Sequence, residues 1–153
     1  MESNMKYFVY FTNSGNGDFV ADILKEYGYK PVKIELVKPL KKMNFFRIMK
    51  YGGHAIFKKK ANIKDIDIKF SEEDEVVVGS PIWGDHLSTP VNAFLAKFSL
   101  SKDKTRFILY PAGKETSKSL IQIKELGFAK EPLVVPYPKK YVEESKTLLE
   151  IFK

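Results

Sequence analysis

Apolar positions in this chain fall into two alternating kinds of run. Met5–Thr12 (MKYFVYFT) is apolar and aromatic-rich and is bounded by Asn13-Ser14-Gly15, which reads as a strand buried on both faces. Phe19, Val20, Ile23, Leu24 and Tyr27 then recur at helical spacing, and Gly28 is placed to end that helix. A second short strand is expected over Pro31–Val37 and a third over Glu75–Gly79, with its run of valines. Val91, Phe94, Leu95 and Phe98 make one stripe of a helix over Pro90–Leu100, with Pro90 suited to its first position. Arg106–Tyr110 reads as a fourth strand and Ser119–Leu126 as a helix closed by Gly127. Leu133–Pro136 follows as a short fifth strand, and Val142–Phe152 as the last helix.

Strands that alternate with helices predict an α/β fold with a parallel sheet. Such sheets take ligands at the carboxyl ends of their strands, near the point where strand order reverses. The loops to inspect are therefore Thr12–Asp18, Ser80–Thr89 and Pro111–Ser117. A length of 153 residues suits one domain, here spanning 1–153. Global disorder is excluded by the 44% hydrophobic content.

The absence of cysteine excludes a disulfide framework, a thiolate metal site and a cysteine nucleophile. It is also compatible with a reducing compartment, so a cytoplasmic location is expected. With only His54 and His86, a histidine-built zinc site is not expected. No apolar run approaches the roughly 18 residues of a membrane span. The opening Met1–Met5 is polar and short, so no signal peptide is expected there.

Charge is unevenly distributed. The net charge is +7, and nine of the 26 basic residues lie between Lys38 and Lys64 with no acid among them. Outside that block acids outnumber bases by two. A local block of this kind argues for a patch and against a uniformly basic nucleic-acid binder. Met43, Phe45, Phe46, Ile48, Met49 and Tyr51 are interleaved with its charges. The block reads either as a solvated face or as a docking surface for an acidic partner, centred on Lys58, Lys59 and Lys60. An anionic membrane surface is a weaker alternative, and no nucleic-acid partner is expected.

Thr12-Asn13-Ser14-Gly15-Asn16-Gly17 follows a strand and opens a helix. Hydroxyls, amides, glycines and the free N–H groups of a helix start together suit a phosphate monoester, with no need for Lys or Arg. The plainer reading is a capped turn, with Asp18 available as the capping carboxylate. The Walker pattern is absent, and the third glycine of a dinucleotide fingerprint is replaced by Val20, although Glu35 lies roughly where a ribose-binding carboxylate would. A phospho-receiver needs acids at the end of its first strand, and Met5–Thr12 has none.

The loop after the third strand carries the chain's single tryptophan, in Gly79-Ser80-Pro81-Ile82-Trp83-Gly84-Asp85. Trp83 reads either as a stacking plate for a flat aromatic ligand or as a cover for the core edge.

Taken together, these two loops resemble those of the flavodoxin family. Thr12-Asn13-Ser14-Gly15-Asn16 is similar to its hydroxyl–x–hydroxyl–Gly–Asn loop. Gly79-Ser80-Pro81-Ile82-Trp83-Gly84, with Ser88-Thr89-Pro90-Val91 and Phe94-Leu95, resembles its Gly-Ser-Pro-x-Trp segment and the helix that follows. Trp83-Gly84-Asp85 resembles the short-chain loop that covers the flavin, and Phe45–Lys60 resembles the corresponding stretch more faintly.

The resemblance implies a single-domain three-layer sandwich around a five-stranded parallel sheet of order 2-1-3-4-5, with one bound FMN. It assigns the phosphate to Thr12, Asn13, Ser14 and Asn16, with the amides around Gly15 and Gly17. It assigns the isoalloxazine ring to the Ser80–Asp85 segment, through Pro81, Ile82, Trp83, Gly84 and Asp85, and to Pro111, Ala112 and Gly113. Two departures stand out. The family's usual final threonine of the phosphate loop is Gly17 here, and Pro111-Ala112-Gly113-Lys114 lacks the tyrosine that often covers the second flavin face. Tyr110 is nearby but belongs to the strand.

No nucleophile–base pair competes with flavin chemistry; Ser14 has no neighbouring histidine in the sequence. His86 follows the Trp-Gly-Asp turn and reads as a loop histidine or as a lining residue. The expected function is an FMN electron-transfer protein shuttling electrons between redox partners. The alternative is a small FMN-dependent NAD(P)H oxidoreductase of quinone-reductase type. A flavodoxin-like interaction module that has lost flavin is disfavoured by the intact loop and Trp83.

Overall fold

A computed structural model of the chain describes residues 4–38, 62–111 and 116–153. Its elements run β1 (Lys6–Tyr10), α1 (Asn16–Glu26), β2 (Lys30–Lys33), β3 (Glu75–Trp83), β4 (His86–Leu87), α2 (Thr89–Lys97), β5 (Thr105–Tyr110), α3 (Ser117–Glu125), β6 (Leu133–Val134) and α4 (Val142–Leu149). A single 3-10 turn, Glu150–Phe152, ends the chain.

Five strands pair in parallel in the order β2-β1-β3-β5-β6, and β4 pairs antiparallel with β3 off this path. Counting only the parallel strands, this is the expected 2-1-3-4-5 arrangement. The chain steps outward from β1 to β2 and then returns to lay β3 on β1's other side. The order therefore reverses between β1 and β3, at the carboxyl ends of those two strands.

Alternation within each strand builds two cores. Tyr7, Val9 and Phe11 join Val76, Val78, Phe107 and Leu109 beneath Val91 and Phe94 of α2 and Ile123 of α3. Phe8, Tyr10, Val77, Ile108 and Tyr110 face the other way, against Val20, Ala21 and Leu24 of α1 and Leu149 of α4. This is why β1, β3 and β5 read as unbroken apolar runs: both faces are covered by helices. Each fully buried side chain of this kind contributes about 1.5–3 kcal/mol.

Several boundaries differ from the sequence expectation. β2 stops at Lys33; beyond it, Leu36 bridges antiparallel to Ile63. α1 begins at Asn16, three residues before its first apolar position. Most consequential, β3 does not stop at Gly79. It continues through Ser80, Pro81 and Ile82 to Trp83, with Ser80 opposite Leu109 and Pro81 opposite Tyr110. Gly79 is no turn residue: a β-carbon there would lie 2.6 Å from the Phe8 ring. The strand reverses only at Gly84-Asp85, where both residues have positive φ, 55° and 67°. That is the two-residue hairpin turn of type I′, whose backbone twist matches its flanking strands, and glycine at its first position avoids the Cβ clash. Trp83 and His86 face each other across it.

Candidate functional site

The carboxyl ends of β1, β3 and β5 lie side by side, because Tyr10 pairs with Gly79 and Pro81 with Tyr110. The loops that leave these strands share one edge of the sheet.

The loop after β1 is organised by one hydroxyl. Thr12 Oγ1 accepts the N–H of Gly15 at 3.1 Å and that of Gly17 at 3.0 Å. Both lone pairs are thereby used, so the Thr12 hydroxyl retains only its hydrogen, as a donor. Among the described residues, the N–H groups of Ser14, Asn16 and Asp18 carry no hydrogen bond. Ser14 is exposed, and its Oγ accepts from Asn16 Nδ2 at 3.2 Å, leaving the Ser14 hydroxyl hydrogen available as well. Gly15 starts α1 with φ of 90°. The loop is thus a set of donors with no acid turned upon it, which is the chemistry an anion requires at a helix start.

Asp18 does not cap α1, contrary to the plainer sequence reading. Its carboxylate is drawn sideways, accepting from the Tyr10 hydroxyl at 2.9 Å and pairing with Lys33 at 3.2 Å. Burial, followed by the hydrogen bond and charge of Asp18, holds the Tyr10 hydroxyl well above the usual phenol range. Tyr110, buried at the end of β5, donates to the Phe11 carbonyl, and its ionisation is likewise pushed up, chiefly by burial.

These two tyrosines explain Gly17. A β-carbon there would come within 2.8 Å of Thr12 Cβ, Tyr10 Cδ2 and the Tyr110 hydroxyl oxygen alike. The position that would carry the family's threonine is closed from below.

The structure places the second group of expected ligand residues in and after β3. Ser80, Pro81, Ile82 and Trp83 are strand residues, and all four are buried. Ser80 is fully enclosed and donates to the Pro81 carbonyl or Ser88 while accepting the Ser88 N–H at 3.1 Å. Trp83 is 1% exposed and meets Phe11 edge-on, so it covers the core edge and presents no open stacking plate. Its Nε1 is buried without a hydrogen-bond partner. The reason is the longer strand: every residue before Gly84 is held in the ladder or the core.

Gly84 is exposed and Asp85 half-buried. Asp85 is partly committed elsewhere. Its Oδ2 accepts from Ser117 Oγ at 3.2 Å and from the Lys118 N–H at 3.3 Å, serving the start of α3, while Oδ1 is buried without a partner. His86 is a half-buried strand residue of β4. Pro111 is buried, and its carbonyl accepts the Tyr137 N–H at 3.4 Å. Ala112 and Gly113 lie outside the described residues, as do Lys58, Lys59 and Lys60 and nearly all of the basic block.

One residue at the loop escaped the sequence reading. Lys139 lies beyond β6; its main-chain N–H donates to Asn16 Oδ1 at 3.2 Å, and its Nζ donates to the Ser14 carbonyl at 3.4 Å. No local pattern marks it, since only the pairing of β6 with β5 carries that segment to α1. Among the described residues no cluster of His, Asp or Glu could hold a metal ion, and no helix is long and apolar enough to cross a membrane.

No protein-family profile and no curated protein sequence matches the chain. Among solved structures, a candidate flavoprotein from Bacteroides eggerthii DSM 20697 superposes with a TM-score of 0.70 at 18% identity, over 98% of both chains. A flavoprotein from Lactobacillus acidophilus NCFM, solved in complex with FMN, gives 0.67 at 15% identity, covering 93% of this chain and 98% of its own. An NADH:FMN oxidoreductase in its apo form gives 0.51 at 9% identity, covering 97% and 88%. With the sheet order, the reversal between β1 and β3 and the donor loop that follows β1, these likenesses establish that the chain has the flavodoxin-like fold.

Proposed function

We propose that this protein binds FMN at the carboxyl edge of its sheet and works as an electron carrier between redox partners. The observation that carries the reading is the Thr12 hydroxyl, which accepts two loop N–H groups and leaves the remaining donors uncommitted. The phosphate would be held by the hydroxyls of Thr12 and Ser14 and by the main-chain N–H groups of Ser14, Asn16 and Asp18. Asn13 and Asn16 flank them, and Gly15 and Gly17 let the backbone come close. The ring would lie between the Gly84-Asp85 turn and the Pro111–Gly113 segment. Ser80, Pro81, Ile82 and Trp83 would support that turn from inside.

FMN, when bound, supplies the capacity to accept and release electrons; the protein sets its orientation, potential and access. The chain's own part is to hold the phosphate with neutral donors, exclude water from beneath the turn through Trp83 and Phe11, and keep the two tyrosines protonated. The solved complex of a similarly folded protein with FMN supports the choice of cofactor. The likeness to an NADH:FMN oxidoreductase supports a second reading, turnover of NAD(P)H with a quinone-type acceptor.

The test is the visible absorption spectrum of the purified chain, with mass analysis of the released chromophore. Flavin bands and FMN are expected. A colourless protein that FMN cannot reconstitute would overturn the reading. Catalytic NADH oxidation by the loaded protein would favour the oxidoreductase over the carrier.

A further inference from the structure

Lys139 holds its charge at the wrong end of a helix. The N-terminus of α1 carries the positive end of the helix dipole, so a cation there is opposed by the helix itself. Yet the main chain carries Lys139 to that spot. Pro138 is buried, and Tyr137 adopts a φ of 41° that starts a tight turn, with Lys140 and Tyr141 N–H groups returning to its carbonyl at 2.9 Å. The Lys139 N–H is pinned to Asn16, and its ammonium lies 3.1 Å from where a β-carbon of Gly15 would stand. Asp18, the acid of the first turn, does not relieve the charge, because it pairs with Lys33 and Tyr10. Among the described residues, the ammonium's acceptor is a carbonyl, Ser14 O.

A cation placed against a helix start becomes favourable when an anion sits between them. We propose that Lys139 is the charge-selecting residue of the site. Its ammonium discriminates for a doubly charged phosphate monoester and against the same ring system without phosphate. The proposal rests on the FMN reading above and goes beyond it, since the loop alone selects through neutral donors.

The experiment is a fluorescence titration of the flavin-free full chain with FMN and, separately, with riboflavin. It compares the parent with Lys139→Met and Lys139→Arg. Lys139→Met should weaken FMN binding about tenfold, leave riboflavin unchanged and flatten the salt dependence of FMN affinity. Lys139→Arg should retain most of the preference. The thermal midpoint of the flavin-free chain should not fall in Lys139→Met, because the lost charge opposed the helix dipole. Equal weakening of both ligands, or a lowered midpoint, would make Lys139 a loop brace and overturn the proposal. Unchanged FMN affinity in Lys139→Met would overturn it as well, while leaving the FMN reading intact. Failure of the parent to bind either flavin would overturn the FMN reading itself.

Discussion

The Trp83 indole meets the Phe11 ring edge-on, with centroids 5.7 Å apart and planes at 88°. Phe11 ends the apolar run that feeds the donor loop, and Trp83 ends the strand that feeds the Gly84-Asp85 turn. Their contact couples the two sides of the candidate site through the core. Edge-to-face pairs of this kind add about 0.5–1.5 kcal/mol beyond burial.

Trp83 is the only tryptophan, so its emission reports this contact alone. In the folded chain it should emit far to the blue of exposed indole, and it should shift red in a single step on denaturation. Trp83→Ala should cost about 3–5 kcal/mol, and Trp83→Phe clearly less. Urea unfolding followed by circular dichroism measures both. Wild-type stability in Trp83→Ala would contradict the buried position.

Gly17→Ala has a diagnostic sign. On helix propensity alone it should stabilise by roughly 0.5–1 kcal/mol. Three contacts at 2.8 Å oppose it, and overpacking of that kind costs about 1–3 kcal/mol. Net destabilisation is expected, larger still for Gly17→Thr. Adding Tyr110→Phe removes one of the three contacts and should recover part of the loss. Thermal denaturation of the single and double variants checks this.

Asp74 should make the fold acid-sensitive. Burial tends to raise its pKa, but the N–H groups of Ser71 and Met5, the Ser71 hydroxyl and the Lys104 charge outweigh it and hold the carboxyl below its ordinary value. A carboxyl depressed in the folded state binds its proton more readily when unfolded. Its stabilisation is therefore complete above the ordinary aspartate pKa of about 3.9 and is lost as pH falls through the lower folded value. Denaturation midpoints measured at steps from neutral to strongly acid pH should fall in that window, and Asp74→Asn should flatten the slope there.

The basic block predicts how partners are met. If it docks acidic redox proteins, reversal of Lys58, Lys59 and Lys60 to Glu should slow electron exchange with such partners at low salt. The difference should fade as ionic strength rises, since the screening length is about 10 Å at 0.1 M. Stopped-flow rates at two salt concentrations decide it. Equal rates for mutant and parent at low salt would leave only a solvated face.

The sheet was legible because its strands are buried on both faces. Met5–Thr12 and Arg106–Tyr110 have no polar side to hide, and the helices between them show their stripe. The donor loop was legible because its residue types are local to it. The end of β3 was not, because Gly79-Ser80-Pro81 carries the composition of a turn. Gly79 is there for the Phe8 ring, and Ser80 for the Ser88 contact; neither cause is visible in a window of neighbours. Trp83 illustrates the same limit: a tryptophan beside Pro and Gly is equally compatible with a ligand face and with a core edge. Lys139 was out of reach, being brought to Asn16 from 123 positions away by the β5–β6 pairing.

Gly17, Tyr10 and Tyr110 draw on one shared volume beneath the donor loop. A lineage of this protein cannot alter one of the three freely. Descendants with a larger residue at position 17 must give up bulk around it, and those that keep both tyrosines must keep glycine. Aligned relatives should therefore show the three columns changing in concert, with bulk traded among them.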